Sequence, residues 1–171
     1  MMSNTNTETV EKLFEYAIAL EESAETLYKR LAEMFSGYPE VARFWKHYAD
    51  EERGHAAYLK RIKAGVDAER LSAPADHLLF EKALYCLEGL SPQQLNTIVT
   101  LEDAYQLAVE LENSETNTIF EFMIVNFSTE ELTQSHRFLR TQLSTHITKL
   151  QNEFPLPYHS QIARQKALAV K

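Results

Sequence analysis

One chemical spacing occurs twice in this chain. Glu21 and His55 lie 34 residues apart, and so do Glu112 and His146. The two halves align without gaps at an offset of 91 residues, placing Ala17 on Ala108, Leu20 on Leu111, Ser23 on Ser114 and Leu59 on Leu150. Glu52 stands three residues before His55, and Glu115 three residues after Glu112. Carboxylates and imidazoles are the side chains that move protons near neutral pH and that bind divalent metals. A duplicated set of them, at helical spacing, points to metal ligation.

Four segments with a 3.6-residue apolar period must position these groups. The first runs from about Thr9 to Phe35, with Val10, Phe14, Ala17, Ala24, Tyr28, Leu31 and Phe35 on one stripe. Gly37 and Pro39 break it, and Pro39 suits the first turn of a second helix that runs to about Ala64, where Gly65 ends it. Its stripe holds Val41, Phe44, Trp45, Tyr48, Leu59 and Ile62. The third opens on Thr100-x-x-Asp103, a relative of the capping box, and continues to about Val125. The fourth opens on Ser128-x-x-Glu131 and runs to about Asn152, before Pro155 and Pro157. The intervening stretch, Gly65 to Val99, is too long for a turn. With short helices expected at His77–Leu87 and after Ser91-Pro92, it reads as a crossover between the ends of a bundle.

On these faces the acids divide. At about 100° per residue, Glu21 falls within the apolar arc of the first helix, and Glu11, Glu15, Glu22 and Glu33 fall outside it. Glu52 and His55 share the arc of Tyr48 and Leu59; Asp50 points away. Glu112 and Glu115 share the arc of Tyr105, Ala108 and Ile119, whereas Glu110 and Glu121 do not. His146 shares the arc of Leu139, Leu143 and Leu150. Glu25 and Glu51 lie at the stripe edges, as solvated groups or as hydrogen-bond partners of ligands. Ionised carboxylates are costly to bury and repel one another. A central cation removes both difficulties, and oxygen and imidazole donors suit iron, manganese or zinc.

Composition narrows the alternatives. The chain has 171 residues, 17 basic and 25 acidic side chains, a net charge of −8 and 44% hydrophobic residues, a composition that fits one soluble domain. Only four residues are glycine, which disfavours a turn-rich β fold. The acidic balance argues against nucleic acid as a partner. The single cysteine, Cys86, allows no internal disulfide and no Cys-x-x-Cys metal site. No apolar run reaches the ~18 residues of a membrane span, and the start, MMSNTNTETV, lacks the basic and apolar segments of a signal peptide. A cytoplasmic protein is expected.

These features together resemble the ferritin-like di-iron carboxylate superfamily, and within it the rubrerythrin branch, over about residues 8–152. The resemblance is carried by AIALEESAETLY, with Glu21 seven residues before Tyr28; by FWKHYADEERGHAAYL, with Glu52-x-x-His55; by AVELENSE, with Glu112 and Glu115; and by THITKL, with His146. It implies an all-α fold, an antiparallel four-helix bundle with a long crossover between the second and third long helices. The bundle would occupy residues 1–154, and 155–171 would form a tail that either docks as a short helix or frays. It further implies two metal ions, iron first and manganese or zinc as alternatives, held by Glu21, Glu52, His55, Glu112, Glu115 and His146. A homodimer, an external electron donor and chemistry with peroxide or dioxygen complete the expectation, with no nucleic acid and no membrane involved. Tyr28 matches a family tyrosine near the metals and either donates a hydrogen bond to a bound oxygen species or is a core tyrosine whose hydroxyl is satisfied elsewhere.

One departure stands out. The family pattern places Glu three residues before the fourth-helix histidine, and here that residue is Leu143. Taking His136 as the ligand does not restore the pattern, because Thr133 precedes it at the same spacing. The second metal position is therefore expected to be weak or empty. A non-catalytic metal-binding, storage or dimeric interaction protein on the same scaffold is the alternative reading.

Overall fold

The computed structural model describes residues 8–126 and 144–155, and within them the side chains of Pro92, 115–126, Ser144 and Ile147 are outside the description. The described chain is helical: α1 (Val10–Met34), α2 (Pro39–Gly65), α3 (Ala68–Leu71), α4 (His77–Gly89), α5 (Pro92–Leu95), α6 (Leu101–Asn126) and α7 (Ser144–Glu153). No strand occurs among the described residues; the one β-like pairing is an isolated bridge between Thr9 and Pro74. No helix among them is long and apolar enough to cross a membrane.

The helix ends follow local chemistry. Thr9 caps α1, its hydroxyl accepting from the Lys12 N–H at 3.3 Å. Pro39 occupies the first turn of α2, where its missing N–H leaves no bond unmade. Asp67 and Asp76 cap α3 and α4. At the head of α6 the expected box forms in full. Thr100 Oγ1 accepts from the Asp103 N–H at 3.1 Å, while Asp103 Oδ2 accepts from the Thr100 and Val99 N–H groups at 2.8 and 3.0 Å. Those backbone bonds hold the Asp103 carboxyl below its ordinary range. Helix α2 runs one residue further than the spacing indicated, and no described glycine has positive φ, so Gly65 weakens the helix end without forming a left-handed cap. The four-residue α3 has no periodicity by which it could be anticipated.

Contacts between helices fix their directions. Near the start of α1, Leu13 and Phe14 share a core with Leu59 near the end of α2. Toward the end of α1, Tyr28 stacks on Trp45 near the start of α2. The two helices are antiparallel. Helices α6 and α7 are antiparallel as well, since Tyr105 meets Phe154 and Glu112 meets His146. The larger core joins Leu27–Phe35 of the first hairpin, Val41–Ala49 of α2, Ala104–Leu111 of α6, and Leu150 and Phe154. The N-terminal halves of α2 and α6 are thus level, so the crossover brings the chain back to the end where α2 began. Connecting two parallel helices is what a crossover of this length does in such bundles. Its first part is tied down by Val10 N–H to Ala73 O (3.0 Å) and Ala75 N–H to Glu8 O (2.9 Å).

Every stripe residue named on the first helix is buried; on the second, Phe44 and Ile62 are half-buried and the rest buried. Cys86 is buried on α4. The Ser128 box, Leu143, His136, the first part of the fourth helix and the tail beyond residue 155 lie outside the described residues.

The reciprocal cap on α6 is testable. Thr100→Ala and Asp103→Ala should each destabilise the protein by about 1 kcal/mol. The double variant should lose less than the two single losses added together, because the bonds belong to one motif. Urea unfolding at neutral pH measures all three.

Candidate metal centre

Five carboxylate and imidazole side chains are buried among the described residues: Glu21, Glu52, His55, Glu112 and His146. Each is 2% exposed or less. They come from α1, α2, α6 and α7, and they are the residues singled out by type and spacing, save Glu115, whose side chain lies outside the description. The remaining stripe-sorted acids behave as their faces require, with Glu11, Glu15, Glu22, Glu33, Asp50 and Glu110 exposed.

The five converge. His55 Nδ1 lies 3.1 Å from Glu52 Oε2 and 3.3 Å from Glu21 Oε2. His146 Nδ1 lies 3.1 Å from Glu112 Oε2 and 3.2 Å from Glu52 Oε1. Glu52 thus touches both histidines, one through each oxygen, and the two rings are 4.8 Å apart. The i, i+3 relation of Glu52 and His55 puts both on one face of α2. Glu52, His55 and His146 each present a ligand atom within 4.8 Å of the others. Carboxylate oxygens with imidazole nitrogens form a donor set for iron, manganese or zinc. Buried Glu52 Oε1 makes no well-aligned hydrogen bond. The residues fit a metal.

Aromatic side chains enclose the cluster. The Tyr28 hydroxyl donates to Glu112 Oε1, so this buried tyrosine has its hydroxyl satisfied by a carboxylate of the cluster. The ring of Tyr28 stacks on Trp45 at 5.6 Å and meets Tyr48 edge-on at 5.2 Å. Tyr48 donates to the His146 carbonyl at 2.7 Å, fixing the backbone that carries that ligand. Burial, reinforced by the charge on Glu112, drives the Tyr48 hydroxyl far above its usual range, so it is a donor at all working pH.

The electrostatics divide the carboxylates. For Glu52, burial opposes ionisation most strongly, yet contacts with His146, His55 and Glu21 overcome it and hold the group below its usual range. For Glu112, burial and then the charge on Glu52 raise it, against His146 and Tyr28. Burial alone would strip the proton from His146, but hydrogen bonds to Glu112, Glu51 and Glu52 outweigh it and push the imidazole up to about 12.

Glu51, at the stripe edge, is half-buried beside His146. Its Oε2 is 3.2 Å from His146 Nε2. The other edge residue, Glu25, turns outward to Lys29 at 2.5 Å and Arg53 at 3.7 Å. His47 is exposed beside Glu51, at 3.4 Å, and His77 is exposed beside Glu8. Lys149, three residues after His146, is the cation that pairs with Glu51 across the two helices.

A family model for rubrerythrin matches residues 12–144. The chain belongs to the rubrerythrin family. No curated protein and no solved structure gives a significant match to it. The family supports an all-α ferritin-like bundle, and the buried glutamate and histidine group within that bundle fits a metal site.

Two outcomes follow for the cluster. Tyr28→Phe removes a buried donor from Glu112 and should cost about 1–3 kcal/mol in chemical unfolding of the metal-free protein. His146 keeps its proton in the fold well above the 6.5 of an ordinary imidazole. Its stabilising contribution to the metal-free fold is therefore complete below that value and is lost as pH rises toward about 12. Melting temperature measured by circular dichroism in chelator should fall between about pH 7 and pH 10. His146→Gln should flatten that slope, and a level wild-type profile would contradict the assignment.

Proposed function

We propose that this rubrerythrin-family protein holds a pair of iron ions in the cluster and uses them in redox chemistry with peroxide or dioxygen, either reducing peroxide or oxidising Fe(II). The observation that supports this best is the convergence of Glu52, His55 and His146, buried and within 4.8 Å of one another, with Glu21 and Glu112 against them. Iron bound here would supply one-electron steps between the ferrous and ferric states. Glu21, Glu52 and Glu112 supply the negative charge that a divalent pair requires, Glu52 from between the two histidines. His55 and His146 are the neutral nitrogen donors at the two ends, and Glu115 is a further carboxylate of the same helix face. The Tyr28 hydroxyl orients Glu112, and the Trp45–Tyr48 shell keeps bulk water from the cluster. In this reading the chain works as a homodimer and receives electrons from an external donor, since its one cysteine makes no rubredoxin-type site.

A non-catalytic metal-binding or storage role is the second reading, and Leu143 in place of a glutamate is what favours it. Stopped-flow mixing of Fe(II)-loaded protein with hydrogen peroxide separates the two. The redox reading expects oxidation at least about tenfold faster than for Fe(II) in buffer, a barrier lower by about 1.4 kcal/mol, with the acceleration abolished in Glu52→Ala. Tight Fe(II) uptake without acceleration establishes the storage reading. A cleanly purified apoprotein that takes up no Fe, Mn or Zn, by elemental analysis, removes both.

A further inference from the structure

We infer that Glu51 is a positioning residue for His146, and that Lys149 holds it in that role. The inference rests on the reading of the cluster as a metal centre. The first half of the molecule builds its Glu-x-x-His within one helix, Glu52 before His55 on α2. The second half cannot, because Leu143 stands where that glutamate would be. A carboxylate reaches His146 all the same, and it comes from the neighbouring helix.

The two nitrogens of His146 face opposite ways. Nδ1 is turned into the cluster, 3.1 Å from Glu112 and 3.2 Å from Glu52. Nε2 is turned toward Glu51 Oε2, 3.2 Å away. Both atoms of this second contact are buried, and neither makes a well-aligned hydrogen bond elsewhere among the described residues. Each is the other's charged neighbour. The second oxygen of Glu51 is occupied separately: Oε1 accepts from Lys149, one turn beyond His146 on α7, and lies 3.4 Å from His47 Nε2, one turn before it on α2. The carboxylate is thereby gripped from both helices with its free oxygen directed at the ring.

Chemistry gives this arrangement a purpose. An imidazole that offers Nδ1 as a neutral ligand must carry its proton on Nε2. A carboxylate that accepts from Nε2–H selects that tautomer, fixes the ring plane and makes Nδ1 a stronger donor. Glu51 sits where such a carboxylate has to be. It acts through His146 and does not itself face the cluster.

Co(II) alone is a suitable probe, since its visible absorption reports ligand geometry and its titration gives affinity without any turnover. Glu51→Ala should weaken Co(II) binding by about 10–100-fold and shift the absorption bands, the range typical for losing such an orienting partner. Glu51→Gln, whose amide oxygen can still accept from Nε2–H, should recover much of that loss and retains the size of the side chain should the alanine variant fold poorly. In a His146→Ala background, Glu51→Ala should have no further effect, which a merely structural contribution would not obey. Wild-type affinity in Glu51→Ala overturns the inference. So does a Glu51→Ala loss that persists undiminished without His146, the result expected of a direct ligand. Failure of the wild-type protein to bind Co(II) at all overturns the metal reading itself, and this inference with it.

Discussion

Three glutamates and two histidines share the dry centre of this bundle, and their mutual charge is the condition that everything around them must satisfy. Removing a lone carboxylate from water costs several kcal/mol, and close neighbours of like sign add to that. Tertiary packing alone cannot absorb such a penalty, because the apolar groups nearby gain nothing from the charge. Positive charge must enter the cluster. In the metal-free fold the proton on His146 provides it, which is why that imidazole is held up to about 12 against its own burial. A divalent ion would provide it in greater amount, at the same place, by displacing that proton. Proton and metal are thus competing solutions to one electrostatic problem, and the coupling of metal uptake to pH follows from that competition.

The enclosing aromatics belong to the same solution. A low-dielectric wall strengthens every contact within the cluster, attractive or repulsive. Rings that carry a polar tip can form the wall and still satisfy the charge inside it. Tyr28 and Tyr48 do this, each with its ring packed against Trp45 and its hydroxyl spent on Glu112 or on the His146 backbone. Phenylalanine could supply the same apolar area at either position but would leave an acceptor facing nothing.

Much of this was legible in the sequence because the constraint is periodic. A carboxylate on an apolar arc contradicts the pattern around it, and Glu21, Glu52 and Glu112 each did so at a position the duplication repeated or supported. Helix starts with local signatures, Thr9, Pro39 and the Thr100–Asp103 box, were legible because what makes them lies within a single turn. Which of its two readings Glu51 takes, solvated group or partner of a histidine, was not, since that depends on how α2 packs against α7, and helix periodicity carries no information about which neighbouring helix approaches an edge position. Tyr28 was undecided from sequence because its ring and its hydroxyl have different partners, and the face of a helix specifies only the first. The four-residue α3 is a product of the crossover's path, capped by Asp67.

The internal duplication is consequently less symmetrical than its spacing suggests. His55 meets Glu52 within its own helix, where the geometry of a single turn sets the contact, and Glu21 from α1. His146 depends on groups from three other contexts: Glu112 across from α6, Glu52 and Glu51 from α2, and Lys149 further along α7. Any relative movement of α2 and α7 alters all the α2 contacts at once and leaves the His55 side intact. The two halves of the cluster would then differ in rigidity, the contact of His55 with Glu52 being set by one helical turn and those of His146 by packing. With leucine three residues before it, His146 takes its carboxylate contacts from tertiary structure, and a metal bound in that half would be held with an affinity that varies with whatever sets the distance between the two hairpins.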